Sequence, residues 1–250
     1  MDTHAPPARA PEGRARRRAW HVVLAAATLA VLAACGTADD PSREAAPRES
    51  TGQPSVAATP VADRPRIVAL GDSLTAGYGL PSNQGYPSVL QQLLDEAGYR
   101  YEVVNMGVSG DTSAGGLRRV DWALEGDVRV VIVALGGNDG LRGLSPADLE
   151  RNLGGIIDRA RARGIPVLLC GMEAPPNLGA SYTREFRAVY PRLAKRDGVT
   201  LLPFLLDGVA GDPSLNQADG IHPNAAGARK VADLVWPHLV RALREAGHDD

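Results

Sequence analysis

Two cysteines, Cys35 and Cys170, are all that the 250 residues contain, which excludes a disulfide-stapled scaffold. No bridge between them is expected, because Cys170 ends the apolar run Val167-Leu168-Leu169-Cys170, which reads as a buried strand. An excess of one charge is also missing: 27 Lys and Arg face 29 Asp and Glu, a formal net charge of −2. Without a basic stripe to neutralise phosphates, nucleic acid is not an expected partner. Histidine is scarce beyond the first thirty-five residues, where only His222, His238 and His248 occur. They are too far apart for the grouped ligands of a metal hydrolase. His238 and His248, in and after the last predicted helix, are expected to be solvated. The apolar stretch from Val22 to Ala34 stops at thirteen positions, short of the roughly 20 that a membrane-crossing helix needs.

What is present is ordinary globular material, 44% hydrophobic and 22% charged, enough for one domain of roughly 150–200 residues plus extras. The extras are at the start. Arginines at 14, 16, 17 and 18 precede the apolar stretch, and small residues then lead to a cysteine, the three-part layout of an export signal. Leu32-Ala33-Ala34-Cys35 resembles the lipobox of bacterial lipoproteins, which implies cleavage before Cys35, diacylglycerol on its sulfur and an acylated new N-terminus. A soluble secretory signal, cut after a small residue, is the alternative. Residues 1–35 are therefore expected to be a lipoprotein signal, and the chain to be exported and held at a membrane of the cell envelope by a lipid anchor. Residues 36–64, rich in Pro, Ala, Ser and Thr without apolar periodicity, read as a disordered linker with a reach of about 30 Å.

From residue 65 to 250 a single domain is expected. Short β-branched runs at 67–70, 101–105, 128–135, 165–170 and 199–203 alternate with amphipathic stretches near 86–97, 113–124, 146–163 and 182–197, and a last one after Pro223. Strand–helix alternation implies right-handed crossovers and a parallel sheet covered on both faces, with its site beyond the carboxyl ends of the strands. The polar motifs fall there: Gly71-Asp72-Ser73-Leu74 after the first strand, Gly107 to Thr112 after the second, Gly136-Gly137-Asn138-Asp139 after the third, and Asp219-Gly220-Ile221-His222 after the fifth.

A serine hydroxyl becomes a nucleophile when a histidine takes its proton, and the histidine needs a carboxylate to hold its tautomer. Ser73, His222 and Asp219 supply these parts. Asp219 and His222 alone would fit a cap on the helix after Pro223 equally well. Acyl transfer also needs donors aimed at the tetrahedral oxygen, and the N–H of Ser73, the N–H of Gly110 and the side-chain amide of Asn138 can serve. Each also has a plain structural reading as turn or helix cap; the convergence of four separate loops favours a site.

These blocks resemble those of the SGNH (GDSL-type) hydrolases, and within them the branch of small bacterial arylesterases, thioesterases and lysophospholipases. The resemblance spans about residues 66–245 and is most specific in Ala69 to Gly79, Asn105 to Gly116, Ala134 to Gly143 and Asp219 to Asn224. It implies an α/β fold, a three-layer α/β/α sandwich with a five-stranded parallel sheet of flavodoxin-like appearance and strand order 2-1-3-4-5. It also implies Ser73 as nucleophile, His222 as base, Asp219 as its orienter, and Ser73, Gly110 and Asn138 as the oxyanion hole. No cofactor or metal is expected, the substrates would be small acyl esters, lysophospholipids or thioesters, and a monomer is expected. Deacetylation of a cell-wall or extracellular polysaccharide is the alternative within the fold, and a non-catalytic surface lipoprotein the alternative outside it. An α/β-hydrolase would show Gly-x-Ser-x-Gly, but Thr75 holds the fifth position, and no Gly-x-Gly-x-x-Gly follows the first strand. Leu80, Met172, Pro175, Pro176 and Leu178 are expected to line an acyl groove beside Ser73.

Overall fold

The computed structural model describes residues 64–195 and 199–247. The expected signal, the expected linker up to residue 63, Cys35 and His248 lie outside the described residues. Five parallel strands form one sheet, β1 (Arg66–Gly71), β2 (Glu102–Gly107), β3 (Val128–Ala134), β4 (Val167–Cys170) and β5 (Val199–Leu202), in the order β2-β1-β3-β4-β5. The expected strand order and the α/β architecture are thus observed. Two helices, α2 (Tyr86–Glu96) and α7 (Ala225–Glu245), pack together over one face, while α3 (Ser113–Ala123), α5 (Pro146–Ala162) and α6 (Ala180–Ala194) cover the other. One-turn helices α1 (Ser73–Ala76) and α4 (Gly137–Leu141) fill two loops that the sequence pattern left irregular.

Burial on both faces explains why the central strands read as unbroken apolar runs rather than alternating ones. Val131, Ile132 and Val133 in β3 are fully buried, each contributing roughly 1.5–3 kcal/mol of transfer free energy. Cys170 is buried at the end of β4, and burial pushes its thiol up to about 12. The last helix corrects one expectation: His238 is half-buried in α7 rather than solvated, and that burial lowers its basicity.

Sheet register positions the site. Gly107, Gly71 and Ala134 lie side by side at the carboxyl ends of β2, β1 and β3. The chain leaving β1 crosses over through α2 to β2 on one side, whereas β3 lies on the other, so the switch point opens directly beyond Gly71. Three of the four motif loops therefore leave the sheet from adjacent, in-register positions. A Cβ at Gly107 would run into the Ala76 backbone, so glycine there lets α1 settle onto the end of β2. The Asn105 side chain secures that approach, donating to the Thr75 carbonyl and accepting from Gly107 N–H, each at 2.9 Å.

Candidate active site

Asp72 starts α1, accepting from Leu74 N–H at 3.0 Å through Oδ1. That leaves Ser73 in the first helical position with its hydroxyl free of capping duty. Ser73 Oγ lies 2.9 Å from His222 Nε2, and His222 Nδ1 lies 2.7 Å from Asp219 Oδ2. The three residues chosen from sequence are thus brought into the relay that proton transfer from serine requires. The cap on α7 is Asn224, which accepts from Gly227 N–H at 3.0 Å, so Asp219 is free of that role. Its Oδ1 instead accepts from the N–H groups of Ile221 (3.1 Å) and His222 (3.0 Å). One carboxylate thereby folds its own loop and orients the imidazole. The His222 side-chain bond, then the two backbone bonds, hold the Asp219 carboxyl down to about 2, keeping it charged wherever the enzyme works.

No regular element carries His222, so side-chain amides hold its loop. Gln217 donates to the carbonyls of Tyr78 (2.7 Å) and Pro223 (2.9 Å), and its N–H bonds to His222 O at 2.7 Å. Asn216 holds the carbonyls of Val209 and Asp212. The Tyr78 ring lies against the imidazole, centroids 4.7 Å apart. Gln217 and Asn216 carry no motif signal, since isolated amides in loops are common, and Tyr78 lies in the Ala69 to Gly79 block without a role that the block itself assigns.

Asn138 and Gly110 occupy the oxyanion side. Asn138 sits inside α4, and its Nδ2 donates to Asp72 Oδ2 at 3.3 Å. An amide nitrogen carries two hydrogens, so one can be held by Asp72 while the other faces the cleft that Asn138 shares with Ser73. Gly110 adopts φ 82°, a left-handed conformation that glycine enters without cost. Its carbonyl accepts from Arg142 at 2.9 Å, just past the end of α4. Among the described residues the N–H groups of Ser73 and Gly110 have no acceptor. Gly110 is not among the residues lining the cleft itself.

A guanidinium ties this edge together. Arg119, from α3, bonds to Asp111 Oδ2 (2.7 Å), Met106 O (2.7 Å) and Gly71 O (2.8 Å). It thus fixes the Gly110 loop to the strand that delivers Ser73. Behind Asn138, Asp139 is buried and accepts from Ser113 N–H at 2.8 Å and from its hydroxyl at 2.5 Å. Arg119 was not distinguishable from an ordinary charged residue in the sequence, and Asp139, although part of the motif after the third strand, had no role legible there.

The cleft, about 430 Å³, runs from Asp72, Ser73 and His222 past Asn138 between apolar walls. Of the residues expected to line a groove, Met172 and Pro175 do so. Leu80 instead lines a small recess behind His222. Pro176 faces a separate outer depression with Arg184 and Arg187, and Leu178 is exposed. Their places are taken by Leu74, Leu141, Phe204, Leu206 and Ile221, residues from four other segments that only the fold assembles.

Asp72 stands out electrostatically. Burial raises its carboxyl from 3.8 to about 6, against the opposing pull of its bonds to Leu74 and Asn138 and of His222. A folded-state value above the unfolded one means that the native state holds the proton more tightly. The cost of ionising Asp72 is therefore absent below about pH 4, grows from there to pH 6 and is complete above it, at about 3 kcal/mol. Asp72→Asn is expected to raise stability at pH 7.5 by about 1–3 kcal/mol, less whatever the charged bond to Asn138 contributed, with the gain shrinking towards pH 4. Urea unfolding at both pH values measures this, and a variant less stable than wild type at pH 7.5 would contradict it.

Comparisons with known proteins show the family. Residues 69–230 match the model of the GDSL-like Lipase/Acylhydrolase family. Esterase TesA of Pseudomonas aeruginosa is 46% identical over 174 residues, 69% of this chain and 87% of that protein. Thioesterase 1/protease 1/lysophospholipase L1 of Escherichia coli K12 is 41% identical over 174 residues, covering 69% and 82%. A crystal structure of a TesA superimposes with a TM-score of 0.69 at 45% identity, over 71% of this chain and 99% of that one. The chain belongs to the GDSL-like lipase/acylhydrolase family, and it is a serine ester hydrolase.

Proposed function

We propose that the enzyme cleaves esters and thioesters of apolar acyl groups, aryl esters and lysophospholipids among them, by two-step acyl transfer through Ser73. Ser73 Oγ attacks the acyl carbon while His222 Nε2 takes its proton, and the carbonyl oxygen becomes an oxyanion. The N–H groups of Ser73 and Gly110 and the Asn138 amide receive that charge. Collapse expels the alcohol or thiol, which leaves with the proton from His222, and Ser73 stays acylated. Water then attacks with His222 again as base, releasing the acid and restoring the serine. The observation that carries the substrate class is the apolar wall of the cleft beginning at Ser73 and formed by Leu74, Leu141, Met172, Phe204, Leu206 and Ile221.

Each methylene moved from water into such a cleft is worth about 0.8 kcal/mol, so four added carbons are expected to raise kcat/KM by roughly a hundredfold until the cleft is full. Nitrophenyl esters of increasing acyl length, kept below micelle formation, provide the measurement. A monotonic fall from acetyl onward would remove the acyl cleft and favour a polysaccharide deacetylase instead.

The reading extends to location. Leu32-Ala33-Ala34-Cys35 supports export and lipidation at Cys35, and three acyl chains, two on the sulfur and one on the new N-terminus, exceed what stable membrane attachment requires. Labelled fatty acid is expected to enter the wild-type protein and not a Cys35→Ala variant. Equal incorporation, or wild-type protein free in the medium, would favour the soluble secretory signal. No described helix is long and apolar enough to cross a membrane.

A further inference from the structure

Large apolar side chains exposed to solvent are not scattered over this domain. Seven occur among the described residues, and six of them, Tyr78, Val108, Leu141, Leu144, Leu178 and Ile221, belong to segments beyond the carboxyl ends of the strands. The seventh, Trp122, is on the last turn of α3, where the chain has returned to the opposite edge of the sheet. The six thus share the edge of the sheet on which the cleft opens. Leu141 and Ile221 line the cleft, Tyr78 lies against His222, and Val108 follows the strand end beside Gly71. A Cβ placed on Gly143 would lie 3.7 Å from Leu178 Cδ2, so Leu178 faces the segment of Gly143 and Leu144, whose carbonyl is held by Tyr182.

A grouped apolar surface exposed in this way marks an interaction face, because single exposed apolar residues need no explanation but a cluster costs solubility. The charges beside it indicate the partner. Arg142, between Leu141 and the Leu144 segment, is exposed and in no ion pair among the described residues, its guanidinium bonding only to Gly110 O. Of the neighbouring acidic groups, Glu173 pairs with Arg187, and Asp219 spends both carboxylate oxygens on His222 and the N–H groups of its own loop. An apolar cluster with one open cation matches a sheet of acyl chains topped by phosphate headgroups.

We infer that this rim is a docking surface for a lipid bilayer, seating the cleft mouth against the membrane so that an acyl chain passes into it without crossing water. The inference rests on the acyl-hydrolase reading of the cleft. Its geometry is compatible with the proposed anchor. The described chain enters at Arg64, before the start of β1 and so at the edge opposite the cleft, but residues 36–63 can extend up to roughly 90 Å. That exceeds the roughly 40 Å diameter of a domain this size, so an anchored molecule can turn its cleft to the same membrane.

The test uses the full chain carrying Cys35→Ala, which removes the proposed anchor, with and without Leu144→Ser and Leu178→Ser together. Neither leucine lines the cleft. Sedimentation with vesicles of phosphatidylcholine and phosphatidylglycerol is expected to show about a tenfold weaker partition for the double variant. Its kcat/KM on dissolved nitrophenyl butyrate is expected to stay within about twofold, which also reports intact folding. The single substitutions repeat the test in smaller steps should the pair disturb the fold. Equal partition with and without the substitutions would overturn the inference. So would light scattering in which the parent is a dimer and the double variant a monomer, since the rim would then join two copies. A parent protein inert towards dissolved esters would instead defeat the acyl-hydrolase reading, leaving the two failures distinguishable.

Discussion

Ser73→Ala is expected to lower kcat by about 10⁴–10⁶-fold while leaving the fold unchanged, the size of loss seen when a serine nucleophile is removed from a relay of this kind. The fold survives because the hydroxyl has one partner, His222 Nε2, and Asp72 rather than Ser73 caps α1. The substitution leaves the 2.7 Å bond between His222 and Asp219 untouched, so the loop is expected to keep its anchor. The melting temperature should move by no more than about 2 °C, as expected for a change near 0.5 kcal/mol. Steady-state turnover of nitrophenyl butyrate and a thermal melt make the comparison. Retention of more than a few per cent of activity would assign the nucleophile elsewhere.

Asn138→Ala is the second large effect, a fall in kcat of about 10²–10³-fold with KM little changed, because a donor aimed at the developing oxyanion acts in the transition state and not in substrate binding. The variant also frees Asp72 from its 3.3 Å bond. That contact is long, so its loss should cost no more than about 1 kcal/mol of stability. Because the Asn138 bond opposes the burial that raises the Asp72 carboxyl, its removal is expected to move that group further upward. Kinetics on a soluble ester and urea unfolding separate the two consequences. A large loss of stability with kcat preserved would make Asn138 a structural residue of α4.

Much of this site was legible because its chemistry sits in contiguous motifs at strand ends. Ser73 follows a short apolar run and Asn138 a long one, and the in-register ends of β2, β1 and β3 convert that sequence position into spatial proximity. Asp219 and His222 were legible as a pair but ambiguous as a cap, and Asn224 resolves the ambiguity by taking the capping role. What escaped was of two kinds. Short helices α1 and α4 escaped because a single turn has no periodicity, and glycine-rich segments read as loops until a cap such as Asp72 is seen bonding to Leu74 N–H. The cleft wall escaped because proximity along the chain was a poor guide: Leu80 and Leu178 flank the motifs yet miss the cleft, while Phe204 and Leu206 reach it from the irregular segment after β5. Arg119 shows the same limit, since three acceptors from β1, β2 and the Gly110 loop meet it only after the sheet is built.

The central claim, that Ser73 carries the acyl group through a relay with His222 and Asp219, is tested most directly by a nitrophenyl alkylphosphonate that mimics the tetrahedral intermediate. Mass spectrometry of the treated full-length protein should find a single adduct per chain, on the peptide containing Ser73, formed in step with the loss of esterase activity and absent from Ser73→Ala. Activity lost with the adduct on another residue, or adduct formed equally in Ser73→Ala, would contradict the account.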